Sequence, residues 1–154
     1  MLYRISFIFS FFVIGCSYFI KNVEPDSDKF FLGSTDTKFF QKHVEQVVLE
    51  NGYTIEYYEN DAFSSNIITR WKTRDPYPID IEKGFLDTKS RLIFSAVVIN
   101  NTYRRNNGFD YDCFLTVENK AFNGNNYVHY RVIGELNDYI NQILKQLREK
   151  FDYN

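Results

Sequence analysis

Residues 136–151 read Leu-Asn-Asp-Tyr-Ile-Asn-Gln-Ile-Leu-Lys-Gln-Leu-Arg-Glu-Lys-Phe, and their spacing decides the fold class. Leu136, Tyr139, Ile140, Ile143, Leu144, Leu147 and Phe151 recur three or four positions apart. Asn137, Asp138, Asn141, Lys145 and Arg148 take the opposite side. This is a helix with one apolar stripe, and the stripe needs a surface to cover it. The plain solution is the apolar face of an antiparallel sheet.

The residues upstream supply that sheet. Tyr53-Thr54-Ile55-Glu56-Tyr57 alternates at period two, as a half-buried strand does. Asn60-Asp61 and Ser64-Ser65-Asn66 predict a turn. A second strand then sets Ile67, Thr69, Trp71 and Thr73 against Ile68, Arg70 and Lys72. Asp75-Pro76-Tyr77-Pro78 ends it, because proline cannot donate to a ladder. Residues 79–90 read as a connection with room for a short edge segment. Residues 91–100 are apolar on both faces around Leu92-Ile93-Phe94, which predicts a central strand. Asn106-Asn107-Gly108 is a hairpin signal. Residues 109–118 place Tyr111, Cys113, Leu115 and Val117 opposite Asp110, Asp112, Thr116 and Glu118. Asn123 to Asn126 form a loop, and residues 127–132 suit a fifth strand.

An earlier helix is predicted over residues 36–50. Asp36 or Ser34 can cap it. Phe40, Val44, Val47 and Val48 share a stripe, and Asn51-Gly52 is a stop signal. The expected fold is therefore α+β: an antiparallel sheet of four or five strands, two helices on one face, order α-β-β-β-β-α.

The first residues carry an address. After Met1-Leu2-Tyr3-Arg4, residues 5–14 are apolar apart from Ser6 and Ser10. A charged start and an apolar core of this length have the pattern of a secretory signal. The core is shorter than the about 20 residues a membrane span needs. It runs into Val13-Ile14-Gly15-Cys16, which resembles the lipobox of bacterial lipoproteins. That resemblance implies cleavage before Cys16 and a lipid on its thiol. Two or more acyl chains anchor stably, at about 0.8 kcal/mol per buried methylene. Ser17, where an Asp would favour the inner membrane, implies an outer-membrane address. The expected organisation is a signal peptide over 1–15, a lipidated tether over 16–35 carrying Pro25 and Gly33-Ser34-Thr35, and one domain over 36–154.

Composition narrows the functions. The net charge of −2 and pI near 5.7 do not suit a nucleic-acid binder. Cys113 is left without a partner if Cys16 is lipidated, and its alternation with Leu115 and Val117 reads as a small buried residue. Asp110 and Asp112 share a strand face, a pairing that could serve acid–base work or a cation. With no third ligand near them, a solvated face is the reading we adopt. His43 and His129 are the only histidines, and no zinc spacing occurs. No nucleophile elbow or phosphate loop is present. We therefore expect no catalytic residues, no metal and no cofactor. Arg104-Arg105 reads as a solvated turn that could reach phosphates or carboxylates. Tyr57, Tyr58, Tyr77, Tyr103 and Tyr127 could form an aromatic surface for a partner.

Gly52-Tyr53-Thr54-Ile55, a turn, and Ile67-Ile68-Thr69-Arg70-Trp71 resemble the repeating domain of BamC-type lipoproteins. These are accessory members of the outer-membrane β-barrel assembly machinery. The resemblance covers residues 36–151 in element order and implies a helix-grip domain without enzymatic activity. It implies one such domain here, where BamC carries two. The expected function is a lipid-anchored accessory or structural subunit that binds another envelope protein. The alternative is a lipoprotein that carries a lipid or other small apolar ligand between sheet and helix.

Overall fold

The computed structural model describes residues 27–99 and 110–152. In chain order the elements are β1 (Ser27–Asp36), α1 (Thr37–Glu50), β2 (Ile55–Asn60), β3 (Ser64–Thr69) and β4 (Lys72–Arg74). They continue with α2 (Pro78–Glu82), β5 (Asp87–Val98), β6 (Asp110–Phe122), β7 (Tyr127–His129) and α3 (Gly134–Asp152). The fold is α+β, as expected. Its sheet has seven strands, all antiparallel, in the order β1-β6-β5-β3-β2. β4 pairs the first part of β5 beyond the end of β3, and β7 pairs the last part of β6.

Strands β5 and β6 alternate strictly. Thr88, Ser90, Leu92, Phe94 and Ala96 of β5 are buried, as are Tyr111, Cys113, Leu115, Val117, Asn119 and Ala121 of β6. That face carries α1 and α3, which also pack on each other. α1 buries Phe40, Val44, Val47 and Val48. α3 buries Leu136, Ile140, Ile143, Leu144, Leu147 and Phe151. The Asp36 carboxylate caps α1 by accepting from the Phe39 N–H at 2.9 Å. Gly52, at φ +68°, turns the chain out of the helix as its stop signal predicts. Asn51 then fastens the end of α1 to α3: its amide donates to Gln146 at 2.9 Å, and its carbonyl accepts from Tyr139 at 2.9 Å.

Several expectations need correction. The tether was expected to extend to residue 35, but residues 27–36 form β1, paired along β6 from Ser27↔Glu118 to Asp36↔Asp110. A register shift between Phe31 and Gly33 breaks the period of two, so the sequence does not alternate visibly. Residues 64–66 extend β3 instead of turning. Residues 79–90 hold α2 and the first turns of the longer β5, and the fifth predicted strand shrinks to Tyr127–His129. The Ile67-to-Thr73 strand is broken at Arg70-Trp71. Ile67 and Thr69 face the core with no exposure. The Thr69 hydroxyl accepts the Leu92 N–H at 2.9 Å, taking the place of a ladder bond where the backbone leaves the sheet. The break puts Trp71 on the opposite face, because one residue of slip exchanges faces.

Candidate functional site

The residues singled out for chemistry do not converge. Cys16, Tyr103, Arg104 and Arg105 lie outside the described residues. Cys113 is fully buried on the helix-covered face, and burial pushes its thiol up to about 12. Asp112 points to the other face, where it accepts from the Ser34 hydroxyl at 2.8 Å. Asp110 pairs with Asp36 at the end of the ladder. His129 is exposed and sits opposite Lys120, eight residues along β6 from Asp112, about 27 Å away at strand spacing. His43 stacks on Phe39 at 5.8 Å; burial, then Lys150 and Lys42, lower its pKa. Among the described residues no three His, Cys, Asp or Glu side chains gather as a metal site.

The tyrosines are also dispersed. Tyr57 and Tyr58 are exposed on the edge strand β2, and Tyr58 donates to Glu45 of α1 at 2.8 Å. Tyr77 packs against the core and lies under the Arg74 guanidinium at 4.3 Å. Tyr127 is on β7, across the sheet from β2, and its hydroxyl donates to Asp87.

The space between sheet and helices, where a carried ligand would sit, is occupied by Phe40, Leu92, Phe94, Leu115, Ile140 and Ile143, all fully buried. A shallow surface hollow of about 340 Å³ is lined by Glu50, Gln146, Glu149 and Lys150, a lining that does not suit an apolar molecule.

A different group of residues does come together, on the face the helices leave open. Trp71 lies there half-buried with three cations over its rings: Lys120 at 4.8 Å, Arg91 at 4.9 Å and Lys89 at 5.5 Å. Lys89 also lies 3.7 Å from the Tyr127 ring centroid, and Tyr127 contacts Phe122 at 5.4 Å. Lys89 and Lys120 are directly opposed in the β5–β6 register. Like charges so placed are unfavourable, and the indole face offsets part of the cost by cation–π attraction. Arg91 is neutralised by Glu118 at 2.6 Å, a bond that raises the guanidinium pKa further. Among the described residues neither lysine has a carboxylate partner. Farther along the same face Lys29 sits 4.2 Å over Phe114, which contacts Phe31.

Beneath this corner a buried ion pair holds the frame. Asp80 of α2 is fully buried and accepts from Arg74 at 2.6 Å, from the Tyr77 N–H at 2.9 Å and from the Tyr130 hydroxyl. Its bonds fix the last residue of β4 and the segments after β4 and β7, the strands that flank Lys89 and Lys120.

Sequence reading missed the Trp71 cluster. Lys89 fell in a presumed connection and Lys120 beyond a presumed strand end. Their opposition depends on the β5–β6 register, for which no local spacing is a signal. No known family model matches this chain, and no curated protein matches it. Among the described residues no helix is long and apolar enough to cross a membrane.

Proposed function

We propose that this is a lipid-anchored protein of a bacterial envelope, held by a diacylglyceryl group on Cys16. Its domain then acts as a non-catalytic accessory or structural subunit, binding another envelope component through the open face of its sheet. The observation that carries this reading is the placement of Val13-Ile14-Gly15-Cys16 at the end of a short apolar core. The open sheet face, with its partly exposed aromatic and cationic side chains, supports a role in docking. An outer-membrane location and a part in β-barrel assembly are the finer form of the proposal; they rest on Ser17 and on the BamC-like element order.

The test is metabolic labelling with palmitate and membrane fractionation of the wild type and Cys16→Ala. Labelled, membrane-bound wild type and an unlabelled variant found in the soluble fraction are the expected results. Equal membrane association without label in both would overturn the anchor. Purification of the detergent-solubilised wild type should bring down an envelope protein in near-stoichiometric amount, and recovery of the protein alone would count against the docking role.

A further inference from the structure

The Trp71 corner of the open face fits a particular surface. Two lysine ammonium groups stand opposed across β5 and β6 without carboxylate partners among the described residues, in a chain whose net charge is −2. With Glu118 on Arg91 and Asp87 on the Tyr127 hydroxyl, three cations stand against two carboxylates, and the remaining positive charge at one corner of an acidic protein favours contact with anions. Trp71 and Tyr127 supply flat amphipathic rings of the kind that settle at a membrane–water interface.

Two further observations name the occupant. The described chain begins at Ser27, directly opposite Glu118, and Glu118 is the partner of Arg91. The first described residue therefore lies beside the cluster. The ten residues between Cys16 and Ser27 make eleven Cα steps and reach at most about 40 Å when fully extended. The same end of the sheet also exposes an aliphatic side chain, Leu86 at 69 %. Leu86 is tied to the end of β6 by its N–H, which donates to the Phe122 carbonyl at 3.0 Å. Cationic lysines, interfacial aromatics, an exposed aliphatic and the first described residue of β1 all lie at one end.

We propose that Lys89, Lys120 and Trp71 form a contact site for the anionic phospholipid surface of the membrane that carries the anchor. The inference rests on the lipid-anchor reading for its geometry. In it the lipid on Cys16 holds the protein at the bilayer, and the corner orients the domain by placing the two ammonium groups on headgroup phosphates. The rest of the open face, around Phe31 and Phe114, lies six residues farther along β6 and is left for a partner.

Trp71 is the only tryptophan in the chain, so its fluorescence reports on this corner alone. The experiment uses the full chain with Cys16→Ser, which removes the lipid from the comparison. Vesicles of phosphatidylcholine, alone or mixed with phosphatidylglycerol, are added, and binding is read by flotation and by Trp71 emission. Arg4, the N-terminal amine and residues 5–14 are kept in the Lys89→Gln, Lys120→Gln chain, so the difference between that chain and its parent isolates the corner. Expected are roughly tenfold stronger binding to the anionic vesicles, a blue shift of Trp71 only there, and loss of the preference in high salt. Lys89→Gln with Lys120→Gln should abolish the preference while leaving thermal unfolding close to that of the parent chain. Equal binding to both vesicle types, or anionic binding without a change at Trp71, would overturn the proposal. So would a Trp71 response to polyglutamate or to an oligonucleotide but not to anionic vesicles, which would assign the corner to an acidic protein or a nucleic acid. Palmitate labelling decides the anchor separately. A labelled protein whose corner ignores lipid sinks this inference alone, and an unlabelled one whose corner binds lipid sinks only the anchor.

Discussion

Asp80 is fully buried, and its three hydrogen bonds overcome what burial alone would do to it. Burial raises a carboxyl pKa; the bonds from Arg74, Tyr130 and the Tyr77 N–H, with the guanidinium charge, bring it below the ordinary value near 3.8. A carboxyl depressed in the folded state stabilises the fold above its unfolded pKa and ceases to do so as pH falls through the folded value. Stability measured by urea unfolding should therefore drop on the acid side below about pH 4, and Asp80→Asn should flatten that drop. At neutral pH the same variant leaves Arg74 buried without its counter-charge and should lose about 3 kcal/mol. Cys113 behaves in the opposite sense. With its thiol pushed up to about 12 by burial, it is protonated at neutral pH. Iodoacetamide should leave it unmodified in the native protein at pH 8 and alkylate it fully in urea; native-state labelling would refute its enclosure. The identity of Cys113 as a core residue was legible, because alternation with Leu115 and Val117 is local. Asp80 was not, because its partners come from the end of β4 and from the segments after β4 and after β7.

Elements were legible where their period ran unbroken. The stripes of α1 and α3 and the cap at Asp36 emerged as read, since each depends on residues within a few turns. The broken elements were not. β1 carries a shift at Leu32, where the chain passes through Gly33 at φ +129°, a conformation that a side chain makes costly. An added Cβ there would meet only the Phe151 side chain, at an ordinary 3.9 Å, so the penalty is conformational. Gly33→Ala should cost about 1–3 kcal/mol in chemical unfolding, and a neutral result would mean that the strand can relax its bulge. Trp71 was assigned to the wrong face for the same reason, a break in a strand that reads as continuous. α3 offers the contrasting case. Leu147 is fully buried in the core, and Leu147→Ala should destabilise by about 2–5 kcal/mol.

For the whole molecule, the boundary of the folded domain lies before β1. A chain starting at residue 37 would lose the strand that covers one side of β6 from Glu118 to Asp110, and it would expose an unpaired edge. It should aggregate or unfold, whereas a chain starting at residue 27 should melt with the full-length domain; size-exclusion chromatography and thermal scans compare the two. The α+β class was legible at this scale because two amphipathic helices and several short strands leave few ways to bury their stripes. The functional corner was not, since it is made by register, and register is a property of pairs of strands.

The pairing of β1 with β6 also sets an order in time. Ser27 and Glu118 are 91 residues apart, so the first strand made is completed only when β6 has been made. Until then β1 and α1 have no sheet to join, and closing so long a loop is slow. Under the proposed anchor, a nascent chain fixed to a bilayer at Cys16 would wait there with Phe30, Phe31 and Leu32 uncovered, close to lipid and to neighbouring chains. For this protein, birth at a membrane would be the most aggregation-prone moment of its life, and its yield should depend on factors that shield the N-terminal strand during synthesis.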